Sequence, residues 1–194
     1  MTVNSNLPIN ALLILASLFY SGTVLPDTFK DGGDAYKQRD YATAVAKFKE
    51  VAAKGDHRAM YALGSMYAGG TGVKQNYRQA ARYYRDVGQK GYAHGQFKLG
   101  QLYLQGKGVQ LDLVRAYAWM FVARQNFQNS MPKTDSAGTN SETRLAVDEF
   151  QSGDIFATIH LKLINAELDD IKAQLTAAQL QEAQKLVGEF SQYR

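Results

Sequence analysis

Two stretches of this chain, GSMYAGGTGV at Gly64–Val73 and GQLYLQGKGV at Gly100–Val109, are near-copies lying 36 residues apart. Their reading decides the fold. A phosphate-binding loop would need an apolar strand before it and Lys-Ser/Thr after it, or a full G-x-G-x-x-G opening a helix. Neither stretch has these, and both recur at one period. A period between about 20 and 50 residues is the mark of a solenoid of stacked units. Sliding the chain by 36 positions also lays Gly55 on Gly91, Leu63 on Leu99, Tyr67 on Tyr103, Asn76 on Asp112, Ala80 on Ala116 and Tyr83 on Trp119. The glycines are therefore turns in a repeated structural unit.

Each unit reads as two helices. Ala59, Leu63 and Tyr67 recur at i, i+4 and i+8 and define one face of a first helix, with Gly64 beside them. Glycine is unfavourable inside a helix, so Gly64 and Gly100 are expected to mark close helix crossings. GGTGV and QGKGV end that helix, with glycine supplying positive φ at its C-cap. Asn76 and Asp112 stand where an N-cap belongs, ahead of the second helices YRQAARYYRDVGQKG and LVRAYAWMFVARQN. An earlier unit, Gly33–Gly55, keeps Gly33, Tyr36, Asp40, Tyr41, Ala44, Phe48 and Gly55. Its internal loop is shorter: seven positions separate Gly33 from Asp40, against twelve from Gly64 to Asn76.

The pattern A-x-x-x-L-G-x-x-Y-x-x-G-x-G-V-x-x-D/N-x-x-x-A resembles the Sel-one-like repeat, a helical-hairpin relative of the tetratricopeptide repeat. Units 56–91 and 92–127 match it nearly fully, and 24–55 is similar to a degenerate tetratricopeptide-like repeat. Gly95, standing where the first full unit has Ala59, and Gly88 near the end of a second helix depart from the pattern. The fold class predicted is all-α: a right-handed α/α superhelix (solenoid) of helix-turn-helix repeats with a helical C-terminal cap. The resemblance implies adaptor or assembly roles.

Beyond the last full unit, 128–141 is rich in Ser, Thr, Asn and Gly and reads as a mobile loop. Residues 142–194 read as the cap that a solenoid needs at its end. Ile164, Leu168, Ile171 and Leu175 form an i, i+4, i+7, i+11 stripe. Thr176 and Gln179 form a capping box, with Leu175 and Leu180 as its hydrophobic staple. Leu180, Ala183, Val187 and Phe190 give the last helix one apolar face. The closing L-T-x-x-Q-x-x-x-A is similar to the ends of many Sel-one-like proteins.

At 194 residues, 45% hydrophobic and 21% charged, the chain has the composition of one folded domain. It holds no cysteine, which excludes disulfides, thiolate metal sites, a cysteine nucleophile and a lipidated cysteine. ALLILASLFY (Ala11–Tyr20) is an uncharged run of signal-peptide length, and no charged side chain precedes Asp27. Residues 1–23 are therefore expected to be a signal peptide or N-terminal anchor, and the protein periplasmic or secreted. Membrane contact is expected only through that segment if it is uncleaved.

Chemistry is sparse. His57, His94 and His160 make no catalytic set, although His57 and His94 stand near corresponding places in neighbouring units. Asp169 and Asp170 diverge by about 100° on a helix, and no serine sits in a G-x-S-x-G setting. No cofactor or metal is expected. Residues 56–127 carry ten Lys/Arg against three Asp/Glu, a net of +7, whereas 128–194 carry six against ten, a net of −4. Arg78, Arg82 and Arg85 form a basic stripe at helical spacing, either a solvated outer face or a contact for nucleic acid, anionic lipid or an acidic protein. Nucleic acid is not expected, because no base-stacking motif accompanies the stripe. The face of each first helix opposite the core carries Arg58, Tyr61 and Ser65, then His94, Phe97 and Gln101 with Lys98 at the flank. Stacked units would align these as a concave partner-binding surface, with packing between units as the alternative role for Tyr61 and Phe97. The expected function is a non-catalytic scaffold of the bacterial envelope that binds a protein or peptide. The alternatives are a polysaccharide- or cell-wall-binding protein, or a hydrolase.

Overall fold

The computed structural model describes residues 28–130 and 147–193. The expected signal peptide or anchor at 1–23, and the expected mobile loop from residue 131 onward, lie outside the described residues. The described residues form eight helices and no strand. They are α1 (Thr28–Lys37), α2 (Tyr41–Ala53), α3 (His57–Gly69), α4 (Tyr77–Gln89), α5 (Ala93–Gln105), α6 (Leu113–Ser130), α7 (Val147–Gln174) and α8 (Ala177–Phe190). From α1 to α6 each helix packs on the next, which makes three stacked hairpins. Both α7 and α8 pack on α6. The result is an α/α solenoid with a helical end.

Local chemistry sets the helix boundaries. Asp40, Asn76 and Asp112, spaced by 36, accept backbone bonds from Thr43 (3.1 Å), Gln79 (3.1 Å) and Arg115 (2.8 Å). Each bond satisfies an otherwise orphaned first-turn N–H. Gly70 and Gly106 close α3 and α5 in the left-handed region, at φ 73° and 63°. The capping box of α8 forms as read: the Gln179 N–H donates to Thr176 Oγ1 at 3.3 Å, and the Thr176 N–H donates to Gln179 Oε1 at 3.0 Å. One boundary differs. Residues 128–130, read as the start of the loop, are the last turn of α6, where Ser130 Oγ donates to the Asn126 carbonyl at 2.7 Å.

The crossings read from glycine hold for the two full units. A Cβ on Gly64 would stand 2.7 Å from the Tyr84 ring, and one on Gly100 would stand 2.6 Å from Met120 Cγ. The equivalent in the first hairpin is Gly32, not Gly33. A Cβ on Gly32 would meet Phe48 at 2.8 Å, whereas Gly33 faces open space. Phe48, Tyr84 and Met120 are themselves spaced by 36, so the second helices keep register while the first loop is cut short. Gly95 and Gly88, the departures from the pattern, lie in a tight contact between α4 and α5. A Cβ on Gly95 would lie 2.5 Å from Val87 Cγ1, and one on Gly88 would lie 3.2 Å from Gln96 Cγ.

The turns also join one unit to the next. Gly72 lies against Tyr41 at the start of α2, and Gly108 lies against the backbone of Tyr77 at the start of α4. Each glycine-rich loop thus docks on the preceding hairpin. At the C-terminal end, Ile164, Leu168 and Ile171 are buried with Phe97, Met120 and Phe127, and Trp119 stacks on Phe190 at 4.2 Å. Burying side chains of this size contributes about 1.5–3 kcal/mol each, so α7 and α8 close the apolar face that α6 would otherwise expose.

Candidate functional site

The first helices α1, α3 and α5 line a groove, and its larger open part lies toward the N-terminal end of the stack. A depression of about 650 Å³ sits between α1 and α3 and reaches the start of α5. Phe29 and Tyr36 of α1 form one wall; Tyr61 of α3 and Tyr92 and His94 at the head of α5 form the other. The rings of this other wall pack against one another and against Tyr84 and His57. Tyr61 packs on Tyr84 (centroids 5.7 Å) and on His94 (5.9 Å). Tyr92 stacks on His57 at 3.4 Å and 8°. A second depression of about 380 Å³ lies on the other side of α3, between α3 and α5, with Lys98, Gln101 and Lys107 on its wall. Both depressions include Ser65, so one groove crosses α3 there.

The expected partner-binding residues divide in two. Arg58, Tyr61, Ser65 and His94 line the first depression. Arg58 is exposed at its rim, pairs with Asp56 (Nη2 to Oδ2 2.7 Å), and lies 4.3 Å over the Phe29 ring. Ser65 Oγ accepts a bond from Tyr84 Oη at 3.2 Å. Lys98 and Gln101 line the second depression, with Lys98 Nζ donating to Gln101 Oε1 at 3.3 Å. Gln101 Nε2 donates onward to Glu167 Oε1 at 3.0 Å, so α7 reaches the edge of the groove. Phe97 is corrected. It is 3% exposed and packs in the core with Ile164 and Leu168. Because α7 lies against α5 much as a further first helix would, the aromatic at 97 packs between units and presents no surface. The basic stripe lies outside both depressions. Arg78 and Arg82 are exposed on α4, and Arg85 Nη2 donates to Tyr103 Oη at 3.4 Å.

Electrostatics follow burial. Tyr84 is pushed up to about 12, mainly by burial, although its bond to Ser65 opposes this. Burial also raises Tyr61. His94 is lowered, first by burial and then by His160 and Lys98, although the residue as a whole remains exposed. His57 is lowered chiefly by burial. His57 stacks on Tyr92, and His94 meets His160 at 5.4 Å. Among the described residues no three His, Cys, Asp or Glu side chains converge as a metal centre requires. No described helix is long and apolar enough to cross a membrane.

Sequence reasoning missed Phe29, Tyr36 and Tyr92. Phe29 and Tyr36 are spaced i, i+7 and share a helical face, a signal that lies in the degenerate first unit. Tyr92 had a subtler one. It stands 36 residues after Asp56, at an N-cap position, yet it offers no side-chain bond to the helix.

Residues 57–85 and 93–123 match the family model of the Sel1 repeat. The chain is similar to the crystal structure of a protective antigen present in uropathogenic Escherichia coli strains, which displays an SLR fold. The TM-score is 0.61 and the identity 26%, over 86% of this chain and 29% of that one. The chain thus spans less than a third of that protein's length. A Sel1 repeat protein from Oxalobacter formigenes is similar with a TM-score of 0.49 and 23% identity, over 73% of this chain and 58% of that one. No curated protein matches significantly. The chain carries two Sel1 repeats in an all-helical solenoid.

Proposed function

We propose that the two Sel1 repeats, with the degenerate hairpin before them, form a non-catalytic protein–protein interaction scaffold that holds a partner polypeptide in the groove between α1 and α3. Sel1 repeats generally serve as such scaffolds. One observation carries the reading for this chain: the groove at α1 and α3 is a preformed depression of about 650 Å³, within the usual range for ligand sites, and its aromatic walls are fixed by ring-on-ring packing. Rigid aromatic side chains lose little freedom on contact, which makes them effective anchors. The uncharged run Ala11–Tyr20 supports placing the scaffold in the bacterial envelope, outside the cytoplasm.

Site-specific photocrosslinking in the native host tests the groove. A photoreactive side chain at Tyr36 should capture a polypeptide, one at Arg82 on α4 should not, and Tyr61→Ala should abolish capture from Tyr36. Capture from Arg82 alone would move the site to the basic stripe, and capture from neither would remove the scaffold reading. Cell fractionation with N-terminal sequencing tests the location. An envelope protein beginning near Val24 is expected, and a cytoplasmic protein that retains Met1 would contradict it.

A further inference from the structure

The two depressions that meet at Ser65 differ in chemistry. The one between α1 and α3 is walled by Phe29, Tyr36, Tyr61 and Tyr92, and its cations are already engaged: Arg58 with Asp56 at 2.7 Å and Lys37 with Asp34 at 3.6 Å. The one between α3 and α5 holds two cations of another kind. Lys98 Nζ meets the neutral Gln101 amide oxygen and lies 5.8 Å from the Phe97 ring centroid; Lys107 Nζ lies 5.5 Å from that of Tyr77. Neither lysine has a carboxylate partner among the described residues, and no Asp or Glu lines either depression. Glu167, on the α7 side, accepts from Gln101 through Oε1, and its Oε2 is buried without a hydrogen-bond partner, away from the lining of either depression. An aromatic slot therefore adjoins a positively charged shelf across a single helix.

Resting on the scaffold reading, we propose that the occupant is an extended acidic peptide with an apolar anchor. Its apolar side chain fills the slot between α1 and α3, and the chain then crosses α3 at Ser65. Its carboxylates reach Lys98 and Lys107. Apolar burial supplies most of the affinity, while the lysines set direction and reject basic sequences.

Fluorescence anisotropy with the full chain and three labelled twelve-residue peptides tests this. All three share a Leu-Trp-Leu block, followed by four glutamates, four glutamines or four lysines. The glutamate peptide should bind about tenfold more tightly than the glutamine peptide, the scale of two surface ion pairs, and the lysine peptide most weakly. The order should collapse in 0.5 M salt. Lys98→Met with Lys107→Met should bring the glutamate peptide to the glutamine level with an unchanged melting temperature, because methionine keeps the aliphatic packing. Tyr61→Ala should weaken all three. Equal binding of the three peptides, or binding of none, overturns the proposal. If crosslinks from Tyr36 persist in that case, the groove stands and only its partner's chemistry falls. If those crosslinks are also missing, the scaffold reading itself has failed.

Discussion

At the scale of single residues, the fold turns on where a methyl group would fit. Gly95 and Gly33 are both helical, yet their surroundings are opposite. A Cβ on Gly95 meets Val87 Cβ at 2.8 Å and the Gly88 backbone nitrogen at 3.0 Å, whereas one on Gly33 meets nothing within 4 Å. Gly95→Ala is expected to destabilise by about 1–3 kcal/mol through overpacking. Gly33→Ala should stabilise by about 0.5–1 kcal/mol by restricting the unfolded chain. Urea denaturation of both variants reads this directly. Gln96 offers a second contrast. It is fully buried, its Nε2 donates to the Gly88 carbonyl at 3.0 Å, and its Oε1 accepts from Asn126 Nδ2 at 2.9 Å. Asn126→Ala leaves that oxygen unpaired and should cost about 1–3 kcal/mol, seen as a lower urea midpoint at unchanged slope. The 36-residue spacing made Gly64 and Gly100 legible as crossings. It aligned Gly33 with Gly64 by matching G-x-x-Y on Tyr36, whereas packing on Phe48 puts the equivalent close approach at Gly32.

At the scale of elements, the apolar stripe of α7 was legible and its destination was not. Ile164, Leu168 and Ile171 are buried as the spacing requires. A stripe names the face a helix buries but not the surface that receives it, and here the receiver includes Phe97. That is why a residue read as an exposed anchor lies in the core. The same contact has a pH signature. His94 faces Tyr61 on α3, Lys98 on its own helix, Phe127 on α6 and His160 on α7. Its pKa is lowered from the ordinary 6.5, as is that of His57. The unfolded chain therefore takes up protons that the folded chain refuses. The associated stability is complete above pH 6.5 and is lost as pH falls below it. A melting temperature lower at pH 5.5 than at pH 7.5 is expected, by a small margin because His94 remains exposed, and His94→Gln should flatten that slope. The carboxylate of Asp56, held low chiefly by Arg58, acts only in a separate window below its ordinary 3.8. A melting curve that does not shift between pH 7.5 and 5.5 would show that neither histidine is coupled to folding.

At the scale of the whole molecule, the period made the solenoid legible, and it brought some of the expected surface residues together. Arg58, Tyr61, Ser65 and His94 do share a groove. The other wall, Phe29 and Tyr36, lay in the unit where the repeat signal is weakest. The cap predicts its own importance: ending the chain at Ser130 would strip Ile164, Leu168, Ile171 and Ala183 from the core around Phe97. Such a truncation should lose its cooperative melting transition and become insoluble, as an uncapped solenoid does. The docking of Gly72 on Tyr41 and of Gly108 on Tyr77 bears on inheritance as well as stability. Because the two seams are alike and one period apart, a tandem copy of residues 73–108 inserted after Gly108 would meet, at each junction, a joint the protein already makes. Gene duplication can therefore lengthen this protein one hairpin at a time, and each event would extend the groove by one helix width, about 10 Å.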